Sequence, residues 1–438
     1  MAARQKDLIS VITLGCSKNT VDSERLMNQI RLNNLTLTED PEKAETVIIN
    51  TCGFIEAAKQ ESINTILKAI SLKEKGKLKK VIVAGCLSER YMDDLRKEIP
   101  EVDAYFGTEK YGDILHELGG ELKYELLGER LLSLPSHTAY LKISEGCDHP
   151  CSFCAIPLMR GKHTSKTIEE LVREAEFLAG NNTREIVLIA QDTTDYGKDI
   201  YGKKMIADLI NRLSGIKGIE WIRLMYAYPS QFPDDLIDVL ADNPKVCKYV
   251  DLPLQHISDN ILKSMRRGVT AKRTRELLLK LKERIPGITL RTTFIVGYPN
   301  ETEKEFTELC EFVKEMEFDR IGTFTFSKEE STSSFILGDP VPGQVKSERR
   351  DILMEIQKDI SLKINEGFVG SQLQVLLEGK EGDYFIGRSY RDAPEVDGEI
   401  LIPSNGTKLN PGEFYSVDVF DFNEYDLYAN ISRNGGRL

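Results

Sequence analysis

The sequence predicts an α/β protein in three parts. These are an N-terminal parallel α/β domain over residues 1–120, a central partial (β/α)6 barrel over 137–367 after a linker at 121–136, and a small C-terminal antiparallel β-barrel over 368–438. Three observations predict it. Strand-like runs alternate with helical ones through the first hundred residues, six more strand–helix units follow, and the tail breaks into short β-like runs punctuated by Gly, Pro and Asn.

In the first part the runs ISVITLGC, ETVIINTC and KKVIVAGC each end in a cysteine, at Cys16, Cys52 and Cys86. Helical stretches follow each one, NTVDSERLMNQIRL after the first. The cysteines are 36 and 34 residues apart, about one strand–helix unit each. Alternating strands and helices give a parallel sheet, whose carboxyl strand ends share one edge where ligands bind. Three thiols distant in sequence therefore meet at that edge. The competing interpretation is three small buried hydrophobes, the usual fate of a free cysteine.

The stretch ELGGELKYELLGERLLSLPSH reads as hairpin and linker. Beyond it, TAYLKIS, EIVLIAQ, WIRLMYA, YVDLPLQ, LRTTFIV and RIGTFTF are strand candidates separated by amphipathic helices such as AKRTRELLLKLKERI. In barrels the chemistry sits just past the strand ends. There, after the first strand, lies EGCDHPCSFCAIP with Cys147, Cys151 and Cys154 at gaps of three and two residues. After the helix SERRDILMEIQKDISLKINEGFVG come QLQVLLEG, DYFIGRSY, GEILIP and FYSVDVFDF, the strands of the tail barrel.

Composition narrows the function. The net charge of −12 disfavours a general nucleic-acid binder, which needs Lys and Arg against phosphate. From Gly370 to Leu438 twelve acids face six bases, which suits a basic protein partner better than RNA. No apolar run approaches the ~20 residues of a membrane span, so no membrane role and a cytoplasmic location are expected. In that compartment clustered cysteines point to metal or catalysis rather than disulfides. There is no P-loop, no G-x-G-x-x-G and no H-E-x-x-H.

Zinc wants four closed ligands, usually in C-x2-C pairs, with His149 or His163 as the candidate fourth here. An iron–sulfur cluster takes thiolates, and three of them leave one iron open for a ligand. Phe153 would cover one side of that ligand, or be a plain core aromatic. Gln191 and Asp192 end the second barrel strand and touch cofactor or substrate, or cap the next segment. Gly297 lets backbone approach a ligand, or is a turn glycine. His256 reads as structural more readily than catalytic, Arg266 and Arg267 as a carboxylate grip or a solvated helix end, and Cys247 and Cys310 as structural. Charged helix faces read as solvated surface.

C-x3-C-x2-C with an aromatic before the last cysteine, placed after strand one of a β/α barrel, resembles the radical S-adenosylmethionine signature. LGCSKNTVDSE, EGCDHPCSFCAIPLMRGKHTSK, LPLQHIS, MRRG and YRDAPEVDGEI together are similar to the methylthiotransferase family across essentially the whole chain. The resemblance implies a 4Fe–4S cluster on Cys147, Cys151 and Cys154, whose open iron holds S-adenosylmethionine. It implies an auxiliary 4Fe–4S cluster on Cys16, Cys52 and Cys86, which supplies sulfur. No acid–base residue then carries the catalysis. Within the family the motifs are most similar to the branch that modifies the β-carbon of an aspartate of ribosomal protein S twelve, free or in the small subunit. The alternative branch acts on a tRNA adenosine, and a third possibility is a non-catalytic metal-stabilised RNA-binding protein. A reductant such as flavodoxin or ferredoxin is implied, the tail resembles a TRAM domain that binds substrate, and direct RNA binding is not favoured. Two departures stand out: Asn300 in GYPNET replaces a glycine, and Thr164-Ser165-Lys166 replaces Arg-Ser-Arg.

Overall fold

The computed structural model describes residues 8–432 apart from positions 127, 134, 405 and 407. Two of the tail's six bases, Arg433 and Arg437, lie outside the described residues. The chain divides into two compact units. The first gathers Met1–Ser133, Tyr140–Asp148 and Cys154–Phe177; the second gathers Leu134–Ala139, His149–Phe153 and Leu178–Leu438.

The first unit begins β1 (Leu8–Thr13), α1 (Ser17–Leu32), β2 (Thr36–Leu37), β3 (Thr46–Thr51), α2 (Glu56–Glu74), β4 (Lys80–Gly85), α3 (Cys86–Glu98), β5 (Ala104–Tyr105) and α4 (Tyr111–Glu117). The strands form a parallel sheet of order β2-β1-β3-β4-β5. β3 is buried at every residue, so it reads as a continuous apolar run rather than an alternation. One face packs Val47, Ile49, Val81 and Val83 on α2, and the other packs Ile9, Ile48 and Ile82 on α1 and α4.

The chain continues with β6 (Thr138–Lys142), β7 (Ser144–Glu145), α5 (Ile156–Arg160), β8 (Thr164–Ser165), α6 (Ile168–Gly180) and β9 (Glu185–Ile189). Next come α7 (Lys198–Tyr201), α8 (Ile206–Ser214), β10 (Trp221–Leu224), α9 (Asp234–Asp242), β11 (Val246–Asp251), α10 (Asp259–Ser264), α11 (Ala271–Arg284), β12 (Thr289–Val296), α12 (Glu303–Met316) and β13 (Arg320–Thr325). Six strands form an open sheet of order β13-β12-β11-β10-β9-β6, parallel from β9 to β13, as the six sequence candidates predict. A long helix α13 (Gly343–Glu366) follows.

The tail forms β14 (Gln372–Glu381), β15 (Tyr384–Arg388), β16 (Ile400–Pro403), β17 (Phe414–Phe422) and β18 (Leu427–Ile431), closed as β14-β15-β16-β18-β17. The sequence runs supply four of these strands. The fifth, LYANI, alternates too briefly to be read alone, and it closes the barrel by pairing parallel to β16, so the barrel is not wholly antiparallel. Among the described residues no helix is long and apolar enough to cross a membrane.

Among its described residues, the stretch read as hairpin and linker shows a 3-10 turn at Tyr124–Leu126, and it is pinned along α1. Asn28 donates to the Glu129 carbonyl (2.7 Å) and Gln29 to that of Lys123 (3.0 Å). Arg130 is buried between Glu24 (2.9 Å) and Glu174 (3.2 Å). Arg25 (3.1 Å) and Lys166 (2.7 Å) also reach Glu174. Burial alone raises the Glu174 carboxyl, but Lys166, Arg25 and Arg130 outweigh it and hold it at about 2. Burial and the Arg25 charge push Lys166 down to about 8, because three cations crowd this acid.

Glu174→Gln strands those cations away from water and should cost about 3–5 kcal/mol in denaturant unfolding. The native Glu174 value lies below its ordinary 4.5, so its stabilisation is complete above about 4.5 and is lost as pH falls toward 2. Stability of the Gln variant should therefore fall less steeply across that window, and an equal slope would contradict the assignment.

Candidate active site

Each of Cys16, Cys52 and Cys86 follows the carboxyl end of a strand of the first sheet, as the repeat predicts. Cys16 is exposed at the start of α1, while Cys52 and Cys86 are buried. The three thiols are close enough to act on one another: Cys16 and Cys52 each raise the Cys86 thiol. The backbone at Cys52 is clamped by Ser62 of α2, whose hydroxyl accepts from its N–H (3.0 Å) and donates to its carbonyl (2.9 Å). Gly85 holds Cys86 at the edge with φ +95°, and a methyl group there would stand 2.7 Å from the Thr51 carbonyl oxygen. Burial pushes the Cys86 thiol up to about 12, against the pull of Arg160, and raises Cys52 as well. Bound iron would take up the charge that burial disfavours.

A polar frame surrounds this edge. Arg160, the last residue of α5, donates Nε–H to Cys86 Sγ (3.2 Å) and its terminal nitrogens to Asp22 (2.7 Å), Glu145 (3.0 Å) and Asn19. Asn19 in turn donates to the carbonyls of Leu14 (2.6 Å) and Thr51 (3.1 Å). Lys142 pairs with Asp22, Glu145 and Glu109, and Tyr111 donates to Asp22 (2.9 Å). Sequence reasoning missed these groups. Charged helix faces were expected to be solvated, yet Lys18, Asn19, Asp22, Ser23, Glu24 and Arg25 of α1 are all buried. The available signal was a polar run at the head of a helix just behind a cysteine.

The second cysteine set lies on the loop between β7 and α5. Cys147 donates its N–H to the Gly161 carbonyl (3.1 Å), and Gly146 before it has φ +71°, where a methyl group would collide with the Lys162 carbonyl. Further along, Ser152 donates N–H to the Met265 carbonyl (3.0 Å) and its hydroxyl to that of Ser264 (2.9 Å). Cys151 Sγ meets Arg267 (3.4 Å) and the Tyr228 hydroxyl (3.6 Å), and Arg267 lies over the Tyr228 ring at 4.2 Å. Arg267 is thus buried beside a thiol rather than at a solvated helix end; Arg266 is at the surface near Ser333. Past Cys154, Ala155, Ile156 and Met159 pack against Cys86. That packing joins the loop of one cysteine set to a member of the other.

Phe153 packs with Met265, Tyr298 and Phe326. Gln191 lies two residues past β9. Gly297 has φ +73°, donates N–H to both Glu301 oxygens (3.0 Å each), and is covered by the Lys346 side chain. Asn300 has φ +74°, a left-handed turn that asparagine tolerates, which accounts for the exchange with glycine. His256 is fully buried, accepts from the Ser258 N–H (3.0 Å), and faces Glu301 at 3.5 Å, a structural group. His149 bonds Asp192 (2.6 Å) and stacks on Tyr228, and His163 meets Ser165 (3.0 Å).

Among the described residues, the His/Cys/Asp/Glu groups gathered within 4.8 Å, the reach of a single ion, are His149–Asp192–Asp195 and Asp22–Glu109–Glu145. Neither includes a cysteine, and Lys142 and Arg160 already neutralise the second. Three thiolates in each set fit a cluster with one open iron.

An open parallel six-stranded sheet with this C-x3-C-x2-C loop past its first strand defines a radical S-adenosylmethionine enzyme. The comparisons agree. The Radical SAM superfamily model matches residues 141–313, Uncharacterized protein family UPF0004 matches 8–107, and the TRAM domain matches 369–431. The chain is 50% identical to the ribosomal protein uS12 methylthiotransferase RimO of Cytophaga hutchinsonii over 429 residues, 98% of each chain. It is 52% identical to that of Christiangramia forsetii over 425 residues, covering 97% of this chain and 94% of the relative. The solved radical S-adenosylmethionine methyltransferase TsrM of Kitasatospora setae shares the fold at a TM-score of 0.54 and 13% identity, covering 93% of this chain and 84% of that one. The chain belongs to the RimO family of ribosomal protein uS12 methylthiotransferases.

Gly146→Ala should push the loop carrying Cys147 off the Lys162 carbonyl. Iron after anaerobic reconstitution should fall from about eight to about four atoms per chain, with the signal of the other cluster kept. Full iron content in this variant would contradict the tight fit.

Proposed function

We propose that the chain is a methylthiotransferase that installs sulfur and a methyl group at the β-carbon of an aspartate of ribosomal protein uS12. The observation that carries the proposal is the packing of Ala155, Ile156 and Met159, just past Cys154, against Cys86. The shared name of relatives near 50% identity over the full chain supports the substrate. Cys147, Cys151 and Cys154 hold one 4Fe–4S cluster with S-adenosylmethionine, and Cys16, Cys52 and Cys86 hold the auxiliary one. When bound, these groups supply hydrogen abstraction and the methylthio group, chemistry that side chains cannot perform on an unactivated carbon. The protein's own part is alignment and exclusion of water. Gln191 past β9 faces the cofactor, while Phe153 and Gly297, packed as they are, shape the wall around it. In domain terms, residues 1–120 serve the auxiliary site, 137–367 the radical site, and 368–438 the substrate.

The barrel's surface favours a basic protein. Glu378, Asp392 and Asp397 turn inward, as do Arg388 and Arg391, all paired with charged neighbours. The outer surface then holds Glu381, Asp383, Glu395, Glu399, Asp418 and Asp421, with Lys380 and Lys408 as the exposed bases among the described residues. Such a surface repels phosphate and attracts a ribosomal protein, so direct RNA binding is not favoured. The enzyme works in the cytoplasm with a small reductant such as flavodoxin or ferredoxin.

The test uses anaerobically reconstituted protein with dithionite, S-adenosylmethionine and either uS12 or a tRNA stem-loop. Mass spectrometry should find one methylthio group on a uS12 aspartate, lost in both Cys16→Ala and Cys151→Ala. A gain on the RNA alone would overturn the substrate and leave the chemistry. Binding of uS12 should weaken as salt rises from about 0.05 to 0.3 M, as expected for complementary surface charge. Affinity insensitive to salt would remove the acidic barrel from the interaction.

A further inference from the structure

We infer that Arg160 is a positioning residue for the auxiliary site: it orients Cys86 and, through its N–H bond to sulfur, makes a cluster held there easier to reduce. The inference rests on Cys16, Cys52 and Cys86 being the ligands of that cluster. A guanidinium carries five N–H donors in a fixed plane. Here four bonds are made, to Cys86 Sγ at 3.2 Å, Asp22 at 2.7 Å, Glu145 at 3.0 Å and the Asn19 amide oxygen. The plane is therefore set by three oxygen partners, and the direction of Nε–H toward the sulfur follows from it.

Charge compensation alone does not explain this arrangement. Lys142 already pairs with both Asp22 and Glu145. A cation that served only those carboxylates had no reason to face a thiol, and a lysine would do the same work. Arg160 is also buried, so its bond to sulfur is little screened by water. N–H bonds to ligand sulfur withdraw electron density and raise a cluster's potential. Arg160 also ends the five-residue helix whose first turn follows Cys154, and Ala155, Ile156 and Met159 of that segment pack on Cys86. One short rigid segment thus runs from a cysteine of the radical site to a sulfur of the auxiliary site.

The test uses the full chain with Cys147, Cys151 and Cys154 all changed to Ala, so that only the auxiliary cluster forms. Iron and sulfide are counted, and the midpoint potential is read by redox titration followed by electron paramagnetic resonance. Arg160→Gln should shift the midpoint to more negative values and alter the line shape. Arg160→Lys should shift it less, since one ammonium keeps the charge but loses the fixed fork. Should the Gln variant fail to keep its iron, the Lys variant carries the comparison. An unchanged midpoint in whichever variant keeps its iron overturns the inference and leaves the ligand assignment intact. Absence of any cluster in the triple-alanine protein itself overturns the ligand assignment, and the role of Arg160 with it.

Discussion

Asp22 sits in α1 almost without water, and Lys142, Arg160 and Tyr111 converge on its two oxygens. Burial by itself would drive this carboxyl toward its neutral form. The two cations outweigh burial and keep it ionised far below the usual carboxylate range. A buried ion set repays its desolvation only when every partner is present and well placed. Geometry is therefore demanded of three segments distant in sequence: α1, which follows Cys16; β6, which leads to the Cys147 loop; and α5, which follows Cys154. Cysteines of both sets hang from elements that one carboxylate ties together.

The same constraint accounts for the polarity of the sheet edge. Apolar residues would fill the space behind Cys86 but would leave the sulfur without a donor. Asn19 spans the gap between the carbonyls of Leu14 and Thr51, where two strands have ended and their backbone needs partners. Gly85 turns the chain without a side chain in the way. In the proposed reaction, breaking an unactivated C–H bond belongs to the cofactors, which leaves the side chains to hold, orient and exclude.

Much of this could be read from residues alone. Strand–helix alternation and the cysteine at each strand end placed the first three thiols correctly, because a parallel sheet leaves little freedom in where its strand ends go. The loop cysteines carried their own spacing. What could not be read was the inward face of α1, because a polar helix face ordinarily means solvent, and its partners Glu129, Lys142 and Arg160 lie more than a hundred residues away. The fifth barrel strand escaped for a similar reason: LYANI gains its partners only when the barrel closes. Lys166, where the family has arginine, became intelligible only with Glu174 in view.

The barrel's acids divide into two kinds, and the division explains how one segment, YRDAPEVDGEI, serves two ends. Asp392 bonds Arg320 (3.1 Å), and Asp397 bonds Arg291 (3.3 Å) and the Tyr249 hydroxyl (2.7 Å), so these two acids fasten the barrel to β11, β12 and β13. Arg388 crosses the other way, to Glu185 of β9. These buried pairs neutralise themselves and contribute nothing to the field outside. Counted by sequence the tail is acidic two to one. Among the described residues, the exposed acids are Glu381, Asp383, Glu395, Glu399, Asp418 and Asp421 against the exposed bases Lys380 and Lys408, since Arg388 and Arg391 are buried along with Asp392. Under the proposed function, a surface of that sign, carried on a barrel that ion pairs hold to the radical sheet, would present a cationic protein chain and turn phosphate away.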